Sequence, residues 1–549
     1  MNKKTYIIIP LIVISAVIAG ILIGNIIKQK SQPVYYPLGL SKANKLTTIL
    51  QLIEDGYVDS VNIDEIIEET IPEILDNLDP HTAYIPARYM QGVQEEMQGN
   101  FSGIGVQFSV QNDTVRVIEV ISGGPSSKVG ILPGDRIVRV NDSIIAGVNV
   151  RNQTVLDLLR GEKDTKVLVG VIRKGYKDEL EFEITRDDIP LFSVDVAYMI
   201  DDKTGFIKIS RFSEKTYDEF MQGMHKLDDS GAEKVIIDLR QNPGGSLGSV
   251  LQIVDEFLKK GETILYTEGL NSQRKTYNAS GKNSWKEKKI YILIDEFSAS
   301  ASEIFAGALQ DNDRALIIGR RSFGKGLVQE QIPLVDGSAL RLTVARFYTP
   351  SGRCIQKSYD NGNEDYFNDL YSRFDHKEQL EADSINFNDS LKYYTKAGRT
   401  VYGGGGIMPD IFVPLDTSAN SEYYNRIFRK GLIYSFAYAW ADNHRARLTG
   451  FSSWENLDEY LDNQEIFDEF INYVAENGIS KDPEGVDKSG DLINTQLKAY
   501  IARNIMGEEG FYPIIKRVDN TLLKAIEISR QNLMVENIHL NDSVLILSQ

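Results

Sequence analysis

The chain has 549 residues, a length that predicts three or four domains. Hydrophobic residues make up 42% and charged residues 25%, a composition that is typical of folded globular proteins and excludes wholesale disorder. The net charge of −18 argues against nucleic acid as a partner, because duplex binding needs a basic surface. The single cysteine, Cys354, excludes an intrachain disulfide, and the five scattered histidines do not have the spacing of zinc ligands.

The first 30 residues contain a segment that is long enough to cross a membrane. Residues 6–27 carry no charge and are flanked by lysines on both sides. At 1.5 Å per residue, a helix of this length spans a hydrocarbon core of ~30 Å. A cleaved signal peptide would have a shorter apolar run, so the sequence favours an uncleaved anchor at residues 1–30. We therefore expect a single-pass protein of the inner (cytoplasmic) membrane with a periplasmic catalytic part, or, as the alternative, export after signal cleavage.

Hydrophobic periodicity divides the rest of the chain into helical, β and mixed regions. The mixed region has short apolar strands that end in Gly/Ser-rich turns, which is typical of a mostly parallel sheet buried on both faces. A polar insertion at residues 357–400 interrupts this region. The predicted regions are a helical segment (31–100, with two helices between residues 41 and 77), a β module (101–188), an α/β core (189–414) and a helical carboxyl-terminal region (415–549).

Two strand-end turns of the α/β core carry groups that are suited to acyl transfer. Ser298, Ser300 and Ser302 precede a predicted helix, whose amino terminus favours a developing oxyanion. The same segment also fits a helix capping box between Ser300 and Glu303. The spacing alone does not decide which serine would be the nucleophile.

Lys325 is the candidate base, because neither turn contains a histidine. A lysine accepts a proton only when it is neutral, and lowering its pKa from about 10.4 to ~7–8 requires burial in an apolar pocket. The neighbouring Phe323, Leu327 and Val328 could provide that burial. The alternatives are an ordinary surface turn and a phosphate-binding loop, whose pattern fails because Gly326 follows the lysine.

Glycine-rich loops offer backbone N–H groups at two further places. Gly244 and Gly245 follow a buried strand and could supply half of an oxyanion hole, or else form a plain tight turn. In the β module, a glycine-flanked loop could capture a terminal carboxylate while a peptide adds to the sheet edge, with a ligand-free hairpin as the alternative. The residues of that loop are Gly103, Ile104, Gly105 and Val106.

Together these motifs resemble the carboxyl-terminal processing peptidases, or tail-specific proteases, a family of serine endopeptidases that use a Ser-Lys pair. The family pattern places the nucleophile 25 residues before the lysine, which selects Ser300. The resemblance implies that Gln329 orients Lys325 and that Asp311 is structural. It also implies an oxyanion hole formed by the amide of Ala301 with that of Gly244 or Gly245.

The resemblance extends from about residue 40 to residue 414. It implies an α/β (α+β multidomain) protein with a peptidase core similar to the crotonase/Clp-protease superfold, an inserted PDZ domain, and helical amino- and carboxyl-terminal regions. No metal and no cofactor are implied. The segments that carry it, besides the site motifs, are Leu78–Thr82, Gly103–Gly105, Pro133–Ile137, Leu159–Gly161 and Thr349–Arg353.

We therefore predict a membrane-anchored extracytoplasmic serine endopeptidase that recognises and cleaves the carboxyl-terminal regions of proteins. Its predicted partners are proteins or peptides with accessible C termini, the membrane, and a second copy of the chain or an adaptor. His81 is a further candidate catalytic residue, although a hydrogen-bonded structural histidine is the simpler interpretation. Two alternatives remain open: a catalytically inert PDZ-containing anchor or chaperone that binds peptides, and an enzyme of the same superfold that acts on acyl thioesters.

Overall fold

The computed structural model describes residues 44–535, apart from residues 112, 122, 174, 386 and 387. The chain divides into two units, residues 1–73 and 74–549. The described residues begin with helix α1 (Asn44–Gly56) and helix α2 (Ile63–Leu75). These helices confirm the two that were predicted between residues 41 and 77.

The predicted location in the inner membrane is contradicted. Within residues 44–535, outside the five gaps, no helix is both long and apolar enough to cross a bilayer. The 24-residue helix Pro483–Met506 is long enough, but it carries charged side chains along its length. The predicted anchor or signal segment, residues 1–30, lies outside the described residues.

The β module is an antiparallel sheet around its own apolar core. Strand β1 (Ala83–Ile85) and helix α3 (Ala87–Gln98) precede it. The elements of the module are β2 (Asn100–Gly103), β3 (Val106–Gln111), β4 (Thr114–Val120), α4 (Pro125–Val129), β5 (Arg136–Val140), β6 (Ser143–Ile144), α5 (Asn152–Leu159), β7 (Lys166–Ile172), β8 (Leu180–Thr185) and β9 (Asp187–Pro190). The strand order is β3-β4-β5-β7-β8, with β6 on β5 and a separate β2–β9 pair, so that β3 lies at an edge.

A six-stranded sheet forms the centre of the α/β core, and a smaller antiparallel sheet lies beside it. The elements are β10 (Val194–Met199), β11 (Thr204–Ile209), α6 (Thr216–Asp229), β12 (Lys234–Asp238), α7 (Leu247–Asp255), β13 (Thr263–Glu268), β14 (Lys275–Asn278), β15 (Lys289–Ile294), α8 (Ala301–Asp311), β16 (Ala315–Gly319), β17 (Leu327–Pro333), β18 (Ala339–Tyr348), α9 (Asn363–Asp375), β19 (Lys392–Tyr394), β20 (Thr400–Tyr402) and β21 (Ile411–Phe412). The central order is β10-β11-β12-β15-β16-β21, and every pair except β10–β11 is parallel.

Strands β12, β15 and β16 are short apolar runs of the kind that the sequence predicted for the α/β core. They are buried almost throughout, because helices cover both faces of the sheet. In the smaller sheet, β18 pairs with β1, β13 and β17. The turn before β1 contacts β17, because Gln329 of that strand donates a hydrogen bond to the carbonyl oxygen of His81.

The carboxyl-terminal region is helical, as predicted. Its helices are α10 (Glu422–Arg429), α11 (Leu432–Leu448), α12 (Trp454–Asp462), α13 (Ile466–Glu476), α14 (Pro483–Met506), α15 (Glu508–Ile515) and α16 (Asn520–Arg530). Most of them enclose one apolar core, but Leu522, Ala525 and Ile528 of α16 pack on the central sheet. Helix α16 therefore contributes to the apolar core of the central sheet.

Candidate active site

Ser300 lies at the junction of strand β15 and helix α8, where it is the N-cap residue of the helix. Its φ of +54° lies in a region that non-glycine residues rarely adopt, at a cost on the order of 1–3 kcal/mol. Ser300 forms a capping box with Glu303, whose carboxylate accepts a hydrogen bond from Ser300 N at 2.9 Å. The capping box and the cavity-lining serine are therefore features of one structure, although the sequence presented them as alternatives.

Glu303 joins the loop of Ser300 to the loop of Lys325. Its fully buried carboxylate accepts four hydrogen bonds, from Ser300 N, Ser322 Oγ, Gly324 N and Lys325 N, at 2.6–2.9 Å. Burial raises the pKa of this carboxyl from 4.5 to about 7, and the hydrogen bonds oppose the rise. The sequence identified Glu303 only as a helix cap.

Lys325 lies in a largely buried position. Its Nζ donates a hydrogen bond to Gln329 Oε1 at 2.9 Å. Burial, reinforced by the positive charge of Arg341, lowers the lysine pKa from 10.5 to about 8, whereas the charges of Glu303 and Asp79 act in the opposite direction. At pH 7.5 about a quarter of such lysines are neutral, against about 0.1% at the ordinary pKa.

Gln329 is held by the turn that precedes β1. Its Nε2 donates to the carbonyl oxygen of His81, so that Oε1 faces Lys325. Asp79 fixes this turn by accepting hydrogen bonds from the backbone N–H groups of His81 and Thr82 at 2.9 and 3.0 Å. The His81 ring is bonded to the hydroxyl of Tyr366 at 2.8 Å, in agreement with the structural interpretation of this histidine. Burial, followed in size by the charge of Lys325, lowers the pKa of His81 from 6.5 to about 4.

The loop that carries Gly244 and Gly245, called the glycine loop below, lies directly against Ser300. A Cβ atom on Gly244 would lie 2.8 Å from Ala301 N, and one on Gly245 would lie 1.9 Å from the carbonyl oxygen of Phe212. Both glycines have positive φ angles, of 100° and 135°. Since Gly244 N already donates to Asn242 Oδ1 at 2.9 Å, Gly245 is the better second donor for an oxyanion hole.

Two partly buried hydrogen-bond networks hold the residues that precede Gly244 and Gly245. Asp295, at the end of β15, accepts hydrogen bonds from the backbone and side chain of Gln241 at 2.9 and 2.6 Å. Arg240 donates a hydrogen bond to Asp238 of β12 at 2.7 Å. It also donates two hydrogen bonds, at 2.7 and 2.6 Å, to Asp519, the N-cap residue of α16. The carboxyl-terminal region thus contacts the glycine loop, a link that no motif in the sequence indicates.

One cavity of about 940 Å³ brings the predicted core residues together. Its apolar wall includes Ile304, Leu327 and Phe347. Within the described residues, no group of three or more His, Cys, Asp or Glu side chains could hold a metal ion. The predicted site residues that line the cavity are Ser300, Lys325, Gln329, Ala301, Gly244 and Gly245.

The other predicted residues lie apart from this cavity. Gly103, Ile104, Gly105 and Val106 connect β2 to β3 in the β module and do not line it. Asp311 is buried and accepts a hydrogen bond from Arg353 at 2.8 Å, as expected of a structural residue.

Family models match three parts of the chain. They are "Peptidase family S41" over residues 203–362, "PDZ domain" over residues 102–184 and "Family of unknown function (DUF8443)" over residues 423–507. The PDZ match covers the β module, and the third match covers most of the carboxyl-terminal helices.

The chain is also similar to named proteases. A carboxy-terminal-processing protease of Bartonella bacilliformis is 36% identical over 312 residues, which are 56% of this chain and 71% of that protein. The carboxy-terminal processing protease CtpA of Bacillus subtilis is 33% identical over 362 residues, 65% of this chain and 75% of that protein. A solved photosystem II D1 C-terminal processing protease aligns with 58% of this chain and 91% of its own, at 25% identity and a TM-score of 0.33. The chain belongs to the carboxy-terminal-processing proteases, serine peptidases of family S41 that carry a PDZ domain.

Proposed function

We propose that Ser300 and Lys325 form the catalytic dyad with which this protease cleaves peptide bonds near the C termini of its substrates. The observation that carries the proposal is one cavity that is lined both by a largely buried lysine with a pKa of about 8 and by a helix-capping serine. Gln329 orients the amine by accepting one of its hydrogen bonds. An uncharged amine in this position can act as a general base.

The proposed reaction proceeds through an acyl-enzyme. Neutral Lys325 takes the hydroxyl proton of Ser300 while the serine oxygen bonds to the scissile carbonyl carbon. The N–H groups of Ala301 and Gly245 stabilise the resulting oxyanion. The lysine then gives its proton to the leaving amine, and the peptide C–N bond breaks. The same lysine then takes a proton from water, whose oxygen bonds to the ester carbonyl carbon. The bond from that carbon to the serine oxygen breaks, and the lysine returns the proton to the serine oxygen.

The β module is proposed to bind the substrate tail. Strand β3 is an edge strand whose second side has no strand partner in the described part of the chain, so a peptide can add to it. Gly103, Ile104, Gly105 and Val106 begin this edge, and Val106 and Phe108 are only partly buried against the module core. We expect backbone N–H groups of the loop to hold the terminal carboxylate and the apolar surface to favour an apolar last residue.

Mass spectrometry of the cleavage products tests the dyad. An unstructured polypeptide with an apolar C terminus is incubated with the wild type, Ser300→Ala and Lys325→Ala, and with Lys377→Ala as an exposed-lysine control. We expect fragments from the wild type and the control, and a loss of rate of roughly 10²–10⁴-fold or more in the two dyad variants. Cleavage by Ser300→Ala at the wild-type rate would refute the dyad, and an inactive wild type would favour the inert binding protein.

The predicted homo-oligomer or adaptor stays a prediction, and sedimentation velocity of the purified chain measures self-association.

A further inference from the structure

Helix α9, in the insertion at residues 357–400, lies against the loop that carries Lys325. Arg373 of this helix is 3% exposed and donates hydrogen bonds to the carbonyl oxygens of Ser322 and Phe323 at 2.8 and 3.2 Å. Asp369, one turn earlier on the helix, pairs with the same guanidinium at 2.8 Å. A buried cation thus holds the backbone of the lysine loop two and three residues before the lysine.

A second cation strengthens the same contact. Lys357 is 5% exposed, and its backbone N–H donates to the carbonyl oxygen of Gly324 at 3.0 Å. Its ammonium donates to Tyr366 O at 2.8 Å and to Asp369 at 3.0 Å, and lies 4.1 and 4.2 Å from the ring centroids of Phe323 and Tyr366. The loop and the helix therefore share one buried cation between two aromatic rings.

Helix α9 is also connected to Lys325 by a series of hydrogen bonds. The hydroxyl of Tyr366 is bonded to the His81 ring at 2.8 Å, and the carbonyl oxygen of His81 accepts a hydrogen bond from Gln329. Gln329 in turn accepts a hydrogen bond from Lys325. The insertion thus supports both the backbone and the side chain of the lysine.

We propose that helix α9 is a clamp for the lysine loop, and that Arg373 is a positioning residue which keeps Lys325 out of water and directed at Ser300. This inference rests on the proposed Ser300–Lys325 dyad. Without the guanidinium, the buried carbonyl group of Ser322 and the partly buried one of Phe323 lose this donor, and water must enter the loop to replace it. Burial is the largest cause of the lowered Lys325 pKa, so hydration of the loop raises that pKa towards 10.5.

The other charges around these groups are unchanged by substitutions at Arg373. Lys325 faces Glu303 of α8, Asp79 of the turn before β1 and Arg341 of β18. Lys325 also faces the ring of His81. Besides Asp369, Arg373 faces Lys357, Arg321 of the lysine loop and Glu378, which follows α9. Arg373→Lys keeps the positive charge and loses the two-pronged contact, so it separates the effect of geometry from that of charge.

The test is the pH dependence of kcat/KM for the full chain acting on the unstructured polypeptide, between pH 6 and pH 10. A rise of about 1.5 in the Lys325 pKa lowers the neutral fraction at pH 7 roughly 30-fold. We expect a loss of this size for Arg373→Gln at pH 7, almost full recovery at pH 10, and a smaller shift for Arg373→Lys. We expect KM to stay constant, because Arg373 does not line the cavity. Tyr371 lies on the same helix and is 73% exposed, so Tyr371→Ala should keep the wild-type pH profile.

Wild type and Ser300→Ala, measured alongside, separate the two proposals. An inactive wild type or an active Ser300→Ala overturns the dyad. An active wild type with Arg373 variants that lose activity equally at every pH, or lose none, overturns the clamp alone. If thermal unfolding shows that the Arg373 variants do not fold, Tyr366→Phe is the deciding variant, because it removes only the hydroxyl. The clamp predicts that the pH midpoint of this variant rises, by less than in Arg373→Gln. An unchanged midpoint overturns the clamp.

Discussion

Replacing Glu303 with glutamine tests the connection between the loop of Ser300 and the loop of Lys325. The carboxylate accepts hydrogen bonds from four donors, but glutamine has one acceptor oxygen, so at least two donors lose their acceptor. At about 1.5–3 kcal/mol for each hydrogen bond to a charged group, the loss is roughly 3–6 kcal/mol. Removal of the buried charge offsets part of this loss above pH 7, because the rise of the Glu303 pKa from 4.5 to about 7 corresponds to a cost on the order of 3 kcal/mol.

The sign of the pH effect follows from the direction of that pKa change. Because the folded-state pKa of Glu303 is raised, its contribution to stability is fully present below pH 4.5 and is lost as the pH rises towards 7. Glu303→Gln should remove this fall from the curve of unfolding free energy against pH. It should also lower the apparent pKa of Lys325, because the negative charge of Glu303 raises that pKa in the wild type.

Urea unfolding between pH 4 and 8 and the pH profile of kcat/KM measure both effects. We expect kcat to fall by at least roughly 100-fold, which is about 2.7 kcal/mol, with the residual activity centred at a lower pH. Glu256→Gln is the matched control, since this buried glutamate accepts hydrogen bonds from Tyr217 and Ser284 and pairs with Lys282, none of which belongs to the loops of Ser300 and Lys325. If Glu303→Gln keeps kcat/KM within about threefold of the wild type, with the same pH midpoint, Glu303 does not join the loops as described.

Three further predictions concern the glycine loop and the docking of the β module. Asp519→Asn weakens the contact with Arg240 and should lower kcat and the melting temperature together in peptidase and thermal-shift assays; an unchanged kcat would show that α16 does not support this loop. Gly244→Ala should abolish activity, because its Cβ would lie 2.7 Å from a backbone oxygen. Gly248→Ala should be tolerated, because its Cβ would lie 3.7 Å from the nearest atom. Equal kcat/KM values for the two variants would be inconsistent with the loop geometry. Tyr438→Phe removes a 2.7 Å hydrogen bond to a carbonyl of β4, worth about 1 kcal/mol, and should speed hydrogen exchange in β4 roughly fivefold, whereas unchanged exchange would argue against this docking contact.

The central sheet could be predicted from the sequence because its strands are buried on both faces. Continuous apolar runs such as those of β12, β15 and β16 carry a clear signal when a Gly/Ser-rich turn follows each one. Strand β17 carries no such signal, since it reads Leu-Val-Gln-Glu-Gln-Ile-Pro and is mostly exposed. Its pairing with β18 over a long antiparallel register is a tertiary property that local periodicity does not reveal.

The supports of the site were harder to predict than its reacting groups. Arg373 binds backbone carbonyl groups about 50 positions earlier in the chain, and any residue can supply a carbonyl, so no pattern identifies the partner. Asp519 illustrates the same difficulty, because the sequence shows it only as a residue before a helix. Glu303 was recognised as a cap, but its bonds to the lysine loop depend on the fold of the whole sheet.

The rate at which a fluorophosphonate labels the protein, followed by intact mass and peptide mapping from pH 6 to pH 10, tests the central claim most directly. This reagent reacts with an activated serine hydroxyl, so its rate reports the fraction of neutral base beside that hydroxyl. We expect a single adduct on Ser300, formed at a rate that rises with a midpoint near pH 8 and is lost in Lys325→Ala. Labelling of another residue, a rate independent of pH, or undiminished labelling of Lys325→Ala would contradict the account.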